Sequence, residues 1–191
     1  MVSSILGGKA EKYGEPICVQ FVNTVGARRS GTPNEYLPDP AALSTWLVGH
    51  RLIESSDSID FLYLSRAIDL RNALYTLFSR VASGSDTYEE ALDALNGELC
   101  EALAKVELTS NMRWSLTEAD PLERALMSIS LSAAELLTST LSDRIRECAD
   151  SECGWIFIDH SKNRSRRWCS MSDCGNLAKA RRFQERKRRA L

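Results

Sequence analysis

Four cysteines toward one end of the chain are spaced for metal chemistry. Cys148 and Cys153 have four residues between them, Cys169 and Cys174 have four, and fifteen separate the two pairs. A tetrahedral zinc site takes four thiolate or imidazole ligands, and two short paired-cysteine knuckles supply two each. Two other readings exist for the same residues. Disulfides need an oxidising compartment, which nothing in the sequence indicates, and free thiols are often simply buried. Two equally spaced pairs favour one zinc ion held by Cys148, Cys153, Cys169 and Cys174. Cys18 and Cys100 lie in apolar stretches and read as core thiols, and His160 as a surface or packing residue.

The residues around the knuckles complete a small module. GWIFIDHSKNRSRRW, between the pairs, has an aromatic and β-branched start and a polar end, which suits a hairpin joining the knuckles. Gly175 and Asn176 turn the chain into NLAKARRFQERKRRAL, a basic helix. A segment of roughly 40 residues cannot bury enough core alone and usually needs a metal or disulfides.

Charge is divided unevenly along the chain. Residues 148–191 carry 11 Lys and Arg against 5 Asp and Glu, a net of +6; the remainder has 13 against 21, a net of −8. A basic end on an acidic body suits an anionic partner. Arg164, Arg166 and Arg167 sit beside the second knuckle. Lys179, Arg182, Arg186 and Arg189 recur at three- and four-residue steps, sharing one helix face. Clustered cations of this kind are the footprint of phosphate contacts, with Arg166, Lys179 or Arg182 able to reach a guanine edge. Leu177, Ala180 and Phe183 form a separate stripe, expected to pack on the finger, and Trp168 reads as finger core. One finger binds weakly, so a homodimer presenting two is expected.

The 191 residues that carry this module fit one ordinary domain and a small appendix. No apolar run approaches the ~20 residues of a membrane span. The first residues fit neither a secretory signal nor a transit peptide, so a cytoplasmic location is expected. Residues 17–25, ICVQFVNTV, read as a strand, followed by the loop GARRSGTPNEYLPD. Asp39-Pro40 starts a short helix to about Leu47. Apolar spacing predicts long helices over residues 57–82, ended by Gly84, and 87–104. MRWSL at 112–116 reads as a short strand. Asp120-Pro121 opens a last helix whose stripe runs to Ile145, ending at the first cysteine. The fold class is mainly α with small β elements (α+β): a helical domain over 1–147, then the zinc module over 148–191. Without a Gly/Pro-rich linker, the module is held rigidly near Glu147.

CADSECGWIFIDHSKNRSRRWCSMSDCGNLAKARRF resembles the CGNR zinc finger, and CVQFVNTV with the Gly/Pro loop and LSTWL resembles the ABATE domain. ABATE domains precede this finger in bacterial proteins described as stress-induced transcription regulators. The resemblance implies a treble-clef or ribbon-like finger with the four cysteines as ligands, its basic run at Arg164–Trp168, and DNA as partner. Two positions depart from the pattern. Leu177 stands where the name motif has Arg, so that residue's contact is either missing or supplied by a neighbour such as Lys179 or Arg181, and Gln20 stands where an acidic residue often precedes the FVNT phenylalanine.

The leading expectation is therefore a transcription regulator with a DNA-binding finger and a body that senses a small ligand. RNA binding, or a protein adaptor using the finger as scaffold, are the alternatives. Catalysis is not expected. The histidines are His50 and His160, no phosphate loop or HExxH motif occurs, and four-cysteine zinc leaves no open coordination position. A ligand site in the body is sought at Asn23, Thr24, Arg28 and Trp46, where FVNT opens into the loop. The plainer roles there are strand capping for Asn23 and Thr24, and core for Trp46.

Overall fold

Three aspartates set the helical frame. Asp39, Asp60 and Asp120 accept from the backbone N–H of Ala42, Tyr63 and Leu122, satisfying donors that a helix start leaves open. Pro40 and Pro121 follow two of them in the first turn, where no N–H is needed. In the computed structural model, residues 14–54, 59–85, 89–112, 114–116 and 120–189 are described, without the side chains of 114–116, 185 and 189. The long elements are α1 (Ile17–Val22), α2 (Pro40–Gly49), α3 (Phe61–Ser83), α4 (Glu89–Leu103), α5 (Pro121–Thr138) and α6 (Asn176–Arg189). Gly84, at φ 69°, closes α3 in the left-handed conformation that glycine adopts without strain. The predicted starts of α3 and α4, at residues 57 and 87, lie outside the described residues.

The strands form three antiparallel pairs among the described residues: β1 (Val25–Gly26) with β2 (Asn34–Glu35), β3 (Val106–Leu108) with β4 (Trp114–Leu116), and β5 (Ile145–Glu147) with β6 (Ile156–Ile158). The class is mainly helical with small β elements. No described helix is long and apolar enough to cross a membrane.

Helices α1, α3, α4 and α5 pack around one core. It contains Phe21, Leu70, Leu74, Phe78, Leu126 and Ile129, each worth about 1.5–3 kcal/mol when fully buried. Ile145, Ile156 and Ile158 join this core, while Phe157 enters a second cluster with Cys148 and Cys174. That split follows from the two-residue period of a strand, so β6 serves both clusters.

Three sequence expectations are corrected. Residues 17–22 are helical, not a strand. Cys18, Val19, Phe21 and Val22 are all fully buried, a spacing that fits one helix face and not alternation. Burial against α3 and α5 outweighs the β-propensity of Val and Phe. Helix α5 ends at Thr138, well before the first cysteine. Ser139 takes an extended conformation, and a 3-10 turn at Ser142–Arg144 leads into β5, so Ile145 reaches the core from a strand. The hairpin does not join the two knuckles: it closes around the first, pairing Ile145 with Ile158 and Glu147 with Ile156. The polar residues after β6 fold instead around buried Asp159, whose carboxylate accepts from the N–H groups of Ser161 and Arg166.

Candidate metal centre and nucleic-acid interface

Cys148 follows β5 directly, and its N–H donates to Trp155 O across the hairpin at 2.8 Å. Cys153 precedes Gly154, whose φ of 71° makes the tight turn into β6. Cys169 ends the polar turn, and Cys174 lies in a π turn, Met171–Gly175, that runs into α6. The four Sγ atoms lie within 4.8 Å of one another, with Cys153–Cys169 and Cys169–Cys174 each at 3.7 Å. Sulfurs at the corners of a zinc tetrahedron, about 2.3 Å from the ion, stand about 3.8 Å apart, so the cluster fits one zinc ion. A hydrogen bond from Cys169 draws the Cys153 thiol down to about 6, and burial pushes Cys174 up to about 12. A divalent cation binds all four as thiolates. Bound zinc supplies a structural crosslink between the knuckles.

Burial pushes the Cys18 thiol up to about 12, in keeping with a core residue. Cys100, in contrast, is exposed: α4 turns Leu95 and Ala102 inward and leaves Cys100 outside.

The first knuckle is fastened to the helical body at many points. The Asn23 amide pairs with the backbone of Ile156, and Trp155 Nε1 donates to Val25 O at 2.9 Å. The backbone N–H groups of Arg28 and Arg29 donate to Cys153 O and Glu152 O. Glu147, one residue before the first ligand, accepts from Tyr75 and Ser79 of α3 and pairs with Arg29 at 2.7 Å. A Cβ on Gly154 would stand 3.0 Å from Arg28 Cβ. Sequence reasoning missed Arg29, Tyr75, Glu147 and Trp155 in these roles. Arg29, Glu147 and Trp155 had proximity to FVNT or to the first knuckle as their only signal, and Tyr75, in the middle of α3, had none.

The basic residues divide into two groups. Arg166 lies over the Phe157 ring at 4.4 Å and donates to the carbonyls of Ile158, Trp168 and Cys169, tying the second knuckle to β6. Arg181 pairs with buried Asp150 at 2.9 Å and reaches Glu152, tying α6 to the first knuckle. Arg164, Arg167, Lys179, Arg182 and Arg186 are exposed and have no acidic partner among the described residues. Lys162, Lys187 and Arg188 add exposed cations beside them. The side chain of Arg189 lies outside the described residues.

The Leu177–Phe183 stripe faces solvent, at 53% and 64% exposure, instead of packing on the finger. Helix α6 begins at the metal cluster, which sets its rotation. Cys174, Ala178 and Arg181 therefore share the inward face, and Ala178 packs there at 9% exposure. Leu177, in place of the motif Arg, is half exposed. Arg181 is engaged with Asp150 and Glu152.

Two family comparisons agree with this geometry. Residues 15–140 match the ABATE family, described as "Putative stress-induced transcription regulator". The chain belongs to the ABATE family. Residues 144–187 match the CGNR zinc finger. Among curated proteins, none matches the chain.

A cleft of about 530 Å³ opens at the seam of the ABATE helices and the CGNR finger. Asn23, Thr24 and Trp46 all line it, joined by Gln20, Tyr36 and His50 from the ABATE side and by Trp155 and Cys169 from the finger. Arg28 does not line it. Its guanidinium lies over the Tyr75 ring at 4.1 Å and donates to Val22 O, and burial lowers its pKa to about 10. Thr24 donates to Phe21 O and accepts from Arg71, which is itself buried and bonded twice to Glu35 at 2.6 Å. Trp46 packs on Phe21 and stacks on His50, with ring centres 4.1 Å apart.

Proposed function

We propose that this protein is a transcription regulator that binds duplex DNA through the zinc-held cationic surface of its finger, while the ABATE body senses a small ligand. The observation that carries the reading is the exposure of Arg164, Arg167, Lys179, Arg182 and Arg186 on the two segments that meet at the cysteine cluster. The stress-regulator description of the family supports the same role. In this reading the chain is not an enzyme, acts in the cytoplasm, and presents two fingers as a homodimer. Arg166 and Arg181 position the surface, and the exposed residues touch phosphate.

Each phosphate neutralised contributes about −0.9 to the slope of log affinity against log salt, so four or five contacts give a slope near −4. The test is a salt series on the zinc-loaded full chain with a mixed-sequence duplex, beside an Arg167→Ala/Arg182→Ala variant. A steep slope that flattens by about two in the variant supports the reading. No binding at low salt overturns it in favour of a protein adaptor, and preference for structured RNA over duplex DNA reassigns the partner.

A further inference from the structure

The polar groups of the seam cleft are nearly all engaged by the protein itself. Asn23 uses its amide on Ile156, and Thr24 uses its hydroxyl between Phe21 and Arg71. Trp155 donates to Val25, and Gln20 lies between Glu15 O and His50. Arg166 directs its guanidinium to three carbonyls. Glu15 differs. Its Oε2 accepts from the Ile158 N–H at 3.1 Å, while among the described residues Oε1 meets only Arg166 Nη1, at 3.7 Å. That separation exceeds hydrogen-bond length and leaves the oxygen open to a donor. The rings of Tyr36, Trp46, His50 and Trp155 line the same cleft, and Tyr36 is half exposed.

A carboxylate with a free lone pair beside aromatic faces recognises a cation by a charge-assisted hydrogen bond and by cation–π attraction. An anion is disfavoured, because the one guanidinium in the cleft is already bonded and Glu15 repels it. We propose that the cleft binds a small organic monocation, an amine on an aromatic or apolar body, with its ammonium at Glu15 Oε1 and its body against Tyr36 and Trp155. The site deepens the ligand-sensing half of the function above and rests on it; it is independent of DNA binding. Since Arg166 and Cys169 form part of the wall, an occupant touches the second knuckle directly.

The test uses the zinc-loaded full chain labelled with ¹⁵N in its indoles, titrated with benzylammonium, benzoate and benzyl alcohol. The expected result is a saturable shift of the Trp46 and Trp155 indole signals with benzylammonium alone, weakened about tenfold by Glu15→Gln. Tyr36→Leu, at a half-exposed position that leaves the fold intact, weakens it as well and serves if Glu15→Gln does not fold. Shifts by benzoate or benzyl alcohol equal to those by benzylammonium overturn the cationic class and leave the ligand-sensing reading standing. Silence toward all three probes overturns the cleft as a ligand site.

Discussion

Asn23 holds both backbone groups of Ile156: its Nδ2 donates to Ile156 O at 2.8 Å, and its Oδ1 accepts from Ile156 N–H at 2.9 Å. Ile156 pairs on its other side with Glu147, so the amide side chain acts as a one-residue strand at the edge of the β5–β6 hairpin. An edge strand needs such partners when it is buried. The asparagine of the FVNT stretch is therefore the joint between helical body and finger, and it also lines the cleft.

Asn23→Ala leaves the Ile156 N–H and C=O partly buried without partners, and is expected to cost about 1–3 kcal/mol. Asn23→Asp still accepts from the N–H but sets a carboxylate against the Ile156 carbonyl, so it should cost more. Denaturant unfolding of both variants checks the order. Equal stability of Asp and wild type would contradict the joint.

Zinc removal should act unevenly. Ile145, Ile156 and Ile158 belong to the helical core, whereas the second knuckle and α6 are tied in through the cysteine cluster, Arg166 and Arg181. Chelation, or Cys174→Ser, is expected to raise amide exchange across 169–189 while 145–158 stays protected. Exchange measured by mass spectrometry separates the two segments. Uniform deprotection would show that the finger and body unfold as one unit.

How much of this was legible in the sequence depended on whether chemistry or packing decided the outcome. The cysteine pairs were legible because two closely spaced thiol pairs supply the four ligands of a tetrahedral site, and the Asp-Pro helix starts because their capping is local. Helix α1 was not. Its β-branched composition describes a strand, and only the neighbours that bury four of its six residues decide otherwise. The split among the arginines was equally hidden. Arg166 and Arg167 are the same residue type one position apart, and only the turn around Asp159 sends one to carbonyls and the other to solvent. The outward rotation of Leu177 and Phe183 is set by the metal cluster at the start of α6, which residue spacing along the helix does not encode.

Those two arginines should therefore separate cleanly. Arg166→Ala removes the ties to Ile158, Trp168 and Cys169 and is expected to lower stability by about 1–3 kcal/mol and weaken zinc retention. Arg167→Ala should leave the melting temperature within a degree or two and reduce the DNA salt slope by about one. Thermal melts and zinc release against a chromogenic chelator read the first, and the salt series reads the second. A stable Arg166→Ala finger would return that residue to the phosphate surface.

Arg71 is almost fully buried in α3 and bonded to Glu35 through both terminal nitrogens, while its Nε has no partner among the described residues. Burial would raise the Glu35 carboxyl, but the Arg71 hydrogen bonds outweigh it and hold the group below the ordinary carboxylate range. An acid depressed on folding stabilises the protein fully above its unfolded pKa, about 4.3, and that stability is lost as pH falls through the lower folded value. Glu35→Gln should therefore destabilise the protein at neutral pH, by about 2–3 kcal/mol because Glu35 still reaches solvent, and much less near pH 3. The buried Arg71 charge is the reason the neutral-pH loss exceeds that of a surface pair. Unfolding free energies of wild type and variant between pH 3 and 7 should converge on the acid side. A gap that stays constant across that range would place the carboxylate's contribution in packing and not in its charge.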